Sequence, residues 1–167
     1  MRGVHAALGR AVCSDAAADA WFAAYPEHYR AAWRAFDDVL PALDALASAH
    51  PEAVLGVVTN GEAGPQRAKL AAIGLAERFS VIVASGQVGV AKPDRAIFAL
   101  ACERLGVKPA HAAHVGDRLD LDARGAAAAG LRGIWLDRSG KAAPPAAPAP
   151  DIVAIATLHE LPSALGV

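Results

Sequence analysis

Between residues 54 and 136 the chain alternates short apolar runs with segments of helical length, and this alternation limits the fold more than any other feature. Val54-Leu55-Gly56-Val57-Val58 runs into Thr59-Asn60-Gly61, the pattern of a buried strand followed by a turn. Pro65 to Ile73 then reads as a helix capped by Gly74, and Phe79 to Ala84 as a second strand. Asp94 to Leu105 reads as a helix closed by Gly106, and Ala112-Ala113-His114-Val115 as a strand ending at Gly116-Asp117. Leu119 to Ala129 forms the next helical stretch, stopped by Gly130, and Gly133-Ile134-Trp135-Leu136 the next strand. Strands separated by helices of about ten residues cannot be hairpins. They predict right-handed βαβ crossovers and a parallel, Rossmann-like sheet.

The flanks read differently. Residues 1–50 are helical in pattern: Asp15 can cap a helix carrying Trp21, Phe22 and Tyr25. Tyr29, Trp33 and Phe36 fall at i, i+4 and i+7 on one helix face, and Asp38 to Ala49 presents Val39, Leu43 and Leu46 on one side. Beyond the last strand of the alternating region, residues 141–150 hold four prolines among alanines, an extended connector. Ile152 to Ile155 reads as a final strand and Leu158 to Leu165 as a closing helical turn.

Composition sets outer limits. The 167 residues match one domain in length, and 54% are apolar, although 43 alanines mean that much of that fraction buries little area. Sixteen Lys and Arg balance seventeen Asp and Glu, which argues against a nucleic-acid polymer or an anionic membrane as partner. Cys13 and Cys102 fit no metal spacing and read as buried thiols of a reducing compartment. His5 and Arg10 interrupt the first ten residues before any signal-peptide core forms, and no run approaches the ~18 apolar residues of a membrane span. A cytoplasmic location is expected.

Three polar signals fall at or just beyond strand ends, where ligands of open parallel sheets gather. Thr59-Asn60-Gly61 places a hydroxyl beside backbone N–H groups, a pattern that can hold a phosphate oxygen. Lys92-Pro93-Asp94 places a lysine in extended geometry just ahead of a helix, a fixed positive charge suited to a phosphoryl group. Gly116-Asp117 closes a strand, and Asp122 lies five residues on, able to turn back toward the same space. Two carboxylates so placed suit Mg²⁺, which takes few protein carboxylates plus water and phosphate oxygens. Asp120 reads as solvated surface, and Arg30 and Arg34 as a solvated helix face. His111 and His114 have HxxH spacing but straddle a loop and a strand, so no shared metal is expected.

In this order the three signals resemble the haloacid dehalogenase superfamily of phosphohydrolases. Val57-Val58-Thr59-Asn60-Gly61 is similar to that family's second motif. Lys92-Pro93-Asp94 with Ile97-Phe98 is similar to its third. His114-Val115-Gly116-Asp117 with Asp122, Gly125-Ala126 and Ala129-Gly130 is similar to its fourth. Gln66, Lys69 and Leu70 after Thr59-Asn60-Gly61 resemble the branch containing pyrimidine 5′-nucleotidases and N-acylneuraminate-9-phosphatase. The resemblance implies that Thr59, Asn60 and Gly61 bind the phosphoryl group and that Lys92 neutralises charge on phosphate and nucleophile. Asp117 would ligate Mg²⁺ and Asp122 would orient the metal site. The reaction implied is attack by an aspartate on a small phosphorylated metabolite, with water then hydrolysing the aspartyl phosphate.

The family's first motif, a strand ending in Asp-x-Asp, carries the nucleophile and is missing from these 167 residues. Asp15 and Asp37-Asp38 have helix-capping explanations instead. The expectation is therefore a partial helical cap over residues 1–36 and a core over 37–167 lacking its central strand. Such a chain would be truncated and inactive alone. The strands ending at Thr59 and Asp117 must then pair directly, leave unpaired edges, or borrow a strand, and a homodimer covering those edges is one solution. The alternatives are a non-catalytic relative that binds phosphate or a partner, and a haloacid dehalogenase, which works without Mg²⁺.

Overall fold

The computed structural model describes residues 29–140 and 152–166, together with Asp19. The helix expected after Asp15, with its aromatic residues, as well as Cys13 and the proline-rich connector, lie outside the described residues. The chain divides into two compact units, Met1–Arg34 and Ala35–Val167. In the first, the Tyr29 and Trp33 rings meet edge to face with centroids 5.7 Å apart.

The second unit runs α1 (Val39–Ala49), β1 (Gly56–Thr59), α2 (Ala63–Ala72), β2 (Val81–Ala84), α3 (Ser85–Val88), α4 (Arg95–Leu105) and β3 (Ala113–Gly116). A π-helical turn, Leu119–Arg124, leads into α5 (Gly125–Ala128), then β4 (Arg132–Leu136), β5 (Ile152–Ile155) and α6 (Leu161–Leu165). The fold is α/β and all strand pairs are parallel, as the alternation required. The glycines expected to stop helices, Gly74, Gly106 and Gly130, adopt φ of 73°, 69° and 87°. Such left-handed turns strain any residue with a Cβ. Asp94 caps α4, its carboxylate accepting from the Ala96 amide at 2.9 Å.

The strands form two separate ladders, β1–β2 and β3–β4–β5. Among the described residues no strand pairs with the outer side of β1 or of β3. Of the three solutions open to the sequence, these residues therefore show unpaired edges. Against the expectation of a buried strand, Val57 and Val58 are half-buried and Gly56 is exposed. An edge strand is covered on one side only, whereas β4, flanked by β3 and β5, buries Gly133, Ile134 and Trp135.

A second correction concerns the aromatic stripe. The chain leaves the helix after Ala31, so Tyr29, Trp33 and Phe36 do not share a helix face, and Phe36 is 65% exposed. The reason lies just beyond it. Asp38 is buried and accepts two hydrogen bonds from the Arg138 guanidinium, at 2.8 and 2.9 Å, and one from the Leu158 amide at 2.8 Å. This grip ties the start of α1 to the end of β4 and to the closing turn. It also brings Arg138 over the Phe36 ring, 4.2 Å from its centroid.

α4 joins the ladders. Its Ile97, Phe98, Ala101 and Cys102 pack with Val83 of β2, Ala126 of α5 and Leu131 in one buried cluster. Phe98 also meets His114 of β3 edge to face at 5.1 Å. Burial pushes the Cys102 thiol pKa up, which favours the neutral thiol.

Candidate active site

The chain between α3 and α4 brings Lys92 to the C-terminal end of β1. Its Nζ donates to the Val58 carbonyl at 2.9 Å and to Asp122 Oδ1 at 2.6 Å. The ammonium is thus not a solvated surface charge, since its side chain is 13% exposed and that of Asp122 only 5%. Asn60 anchors the Lys92 backbone. Asn60 Oδ1 accepts from the Lys92 amide at 2.7 Å, and Asn60 Nδ2 donates to the Lys92 carbonyl at 2.9 Å. Both polar atoms of the Asn60 side chain, expected to help bind the phosphoryl group, are thus engaged by Lys92.

Asp122 reaches the site through the π-helical turn, a wider coil often found where function bends a helix. Its Oδ2 accepts from the Arg118 amide at 2.9 Å, and its Oδ1 also faces His114 Nε2 at 3.4 Å. Burial pushes the Asp122 carboxyl pKa up, but hydrogen bonds from His114, Lys92 and the Arg118 amide, with the Lys92 charge, hold it well below the usual carboxylate range. Gly116 makes this approach feasible. A Cβ there would stand 2.3 Å from Asp122 Cγ, so only glycine leaves room for the carboxyl against β3.

Asp117 is exposed at the end of β3, and its carbonyl accepts from the Trp135 indole N–H at 3.2 Å. It lines an open cleft of about 520 Å³ with Phe36, Leu136, Asp137, Arg138 and Ser139. A larger cleft of about 640 Å³ lies at the opposite end of β2, around Ser80, Arg67 and Arg104, and contains none of these groups. Thr59 and Gly61 sit at the end of β1, where a Cβ on Gly61 would lie 3.6 Å from Thr59 Oγ1.

The donor set tests the expected Mg²⁺. Both Asp122 oxygens are engaged, so the two carboxylates do not form a ligand pair, and Asp117 alone stands open to a cation. Among the described residues no group of three or more His, Cys, Asp or Glu gathers as ligands. These residues therefore do not build a magnesium site by themselves. Mg²⁺ takes few protein carboxylates, and the exposed Asp117 suits one such position.

Lys92, Asp122, Thr59, Asn60 and Gly61 thus gather around the end of β1, and Asp117 lies at the end of β3. Asp120 stays on the surface, paired with Arg124 one turn on. His114 and Gly116 belong to the fourth-motif run, but neither their contacts with Asp122 nor that of Trp135 with Asp117 is visible in it, because these contacts cross between elements.

A parallel α/β core thus holds a lysine and a buried aspartate behind a strand-end threonine, an arrangement whose fixed positive charge suits a bound anion. The model of the haloacid dehalogenase-like hydrolases matches residues 4–130, and the chain belongs to that family. It is 48% identical over 84 residues to the phosphoserine phosphatase of Thermus thermophilus, covering 50% of this chain and 34% of that one. It is 35% identical over 130 residues to the N-acylneuraminate-9-phosphatase of Mus musculus, covering 77% of this chain and 51% of that one. The crystal structure of the HAD phosphatase from Thermococcus onnurineus superposes with a TM-score of 0.69 at 37% identity, covering 78% of this chain and 58% of that one. The chain spans about a third to a half of the length of these curated relatives.

Proposed function

We propose that the chain forms the core and part of the cap of a phosphomonoester hydrolase acting on a small phosphorylated metabolite in the cytoplasm. The observation that carries this reading is the Lys92 ammonium, held at the end of β1 between the Val58 carbonyl and Asp122. A cation fixed there, beside the Thr59 hydroxyl and the turn at Gly61, balances phosphoryl charge without reorganising during reaction. Thr59 donates to a phosphoryl oxygen, Asn60 keeps Lys92 in place, and Asp122 keeps the ammonium aimed. Asp117 supplies one ligand to Mg²⁺, which when bound would neutralise phosphate charge.

The nucleophile is an aspartate on a further strand that would complete the pairing of β1 and β3. Its carboxylate oxygen bonds to phosphorus as the ester P–O bond breaks, and the leaving alkoxide takes up a proton. Water then cleaves the acyl phosphate to inorganic phosphate, restoring the carboxylate. Residues 1–36 would belong to the cap.

Amine acetylation with and without inorganic phosphate tests the site. Phosphate should slow labelling of Lys92, and absence of protection at millimolar phosphate sinks the reading. The 167-residue chain alone should show no turnover. Mg²⁺-dependent hydrolysis of p-nitrophenyl phosphate by it would place the nucleophile within the chain. A longer reading frame encoding an Asp-x-Asp strand should restore Mg²⁺-dependent hydrolysis. Metal-independent release of halide would favour the dehalogenase, and a frame without such a strand the non-catalytic binder.

A further inference from the structure

We propose that His114 is a positioning residue, whose Nε2–H holds the Asp122 carboxylate in the orientation that receives the Lys92 ammonium. A carboxylate oxygen only accepts, so the ring nitrogen facing Asp122 Oδ1 at 3.4 Å is the protonated one. Oδ1 then takes Lys92 Nζ and His114 together, while Oδ2 takes the Arg118 amide. Arg118 is on the same turn as Asp122 and moves with it, so His114 is, apart from Lys92 itself, the donor that fixes the carboxylate against a separate element.

The ring is itself held. His114 lies on β3 with its side chain 14% exposed, and it packs edge-on against Phe98, which is fully buried. Orientation therefore passes from the core through Phe98 and His114 to Asp122, and from Asp122 to Lys92. The inference rests on the reading of Lys92 and Asp122 as a phosphate-site pair. Its test reads Lys92 with no ligand present, so failure of phosphate to bind leaves this result standing by itself.

The experiment is amine acetylation of the whole chain, resolved by mass spectrometry over its lysines, Lys69, Lys92, Lys108 and Lys141, with the exposed Lys108 as internal standard. His114→Phe keeps a ring against Phe98 and removes the donor. His114→Gln keeps an N–H donor and removes the ring. Loss of the donor should speed Lys92 labelling about fivefold in His114→Phe, the scale of one typical net hydrogen bond, with His114→Gln close to wild type. In an Asp122→Asn background His114→Phe should add nothing.

Fast labelling in His114→Gln with wild-type behaviour in His114→Phe would make His114 a packing residue and overturn the proposal. So would fast labelling in both variants, no change in either, or a full effect of His114→Phe in the Asp122→Asn background. Thermal melting checks that each variant is folded, and His114→Met replaces His114→Phe if that variant does not fold.

Discussion

Asn60 grips the backbone of Lys92 from both sides, accepting its N–H at 2.7 Å and donating to its carbonyl at 2.9 Å. The two residues are 32 positions apart, so a side-chain amide does here what a neighbouring strand does in a ladder. It fixes the lysine loop to the end of β1, and the Lys92 ammonium reinforces the tie through Val58.

Replacing Asn60 with Ala removes both bonds and should cost about 1–2 kcal/mol, with hydrogen exchange of the Lys92 amide roughly tenfold faster. Asn60→Asp keeps the acceptor but sets a carboxylate against the Lys92 carbonyl, and should leave the amide protected while still lowering stability. Unchanged exchange at Lys92 in Asn60→Ala would mean that the grip does not hold the loop.

Asp122 makes acid stability diagnostic. Its folded pKa is depressed, so its contribution to stability is present above the unfolded value of about 3.9 and is lost as pH falls toward the folded value. Asp122→Asn leaves a buried ammonium unpaired and should cost about 3 kcal/mol at neutral pH. The gap between wild type and variant in urea melts should stay constant above roughly pH 5 and narrow below pH 4. A gap independent of pH down to 3 would contradict the assignment.

Gly116→Ala tests the close approach of Asp122 to β3. The added Cβ would meet the carboxyl at 2.3 Å, so Asp122 must withdraw and Lys92 lose its partner. A loss of about 2–3 kcal/mol by thermal or urea unfolding is expected, the upper range for overpacking, with faster acetylation of Lys92. Wild-type stability would show that the turn yields without disturbing the pair.

Asp38 is held below the usual carboxylate range by its hydrogen bonds from Arg138, against the opposing effect of burial and with help from the Leu158 amide. Asp38→Ala strands both donors and should destabilise the fold by about 3 kcal/mol. Arg138→Ala should cost a similar amount and free the Phe36 ring, which a double-mutant cycle would report as strongly non-additive. Additive losses would mean that the two residues act separately.

The sequence by itself determined the local structure. Apolar runs of strand length, Asp94 as a cap, and glycines 74, 106 and 130 as stops each act through the conformational limits of a few neighbouring residues. The parallel α/β class followed, and so did the positions of Thr59 and Asp117 at strand ends, because a chain entering a turn from a strand has little freedom in where it puts the next residue. Only the tertiary structure decided what those residues touch. That the Asn60 amide serves Lys92, that Asp122 is spent on Lys92 and His114 instead of pairing with Asp117, and that Phe36 leaves its helical pattern for Arg138 all depend on contacts spanning 8 to 102 positions. Hydrogen bonds and ion pairs of that reach are set by how elements pack, which periodicity along the chain does not encode.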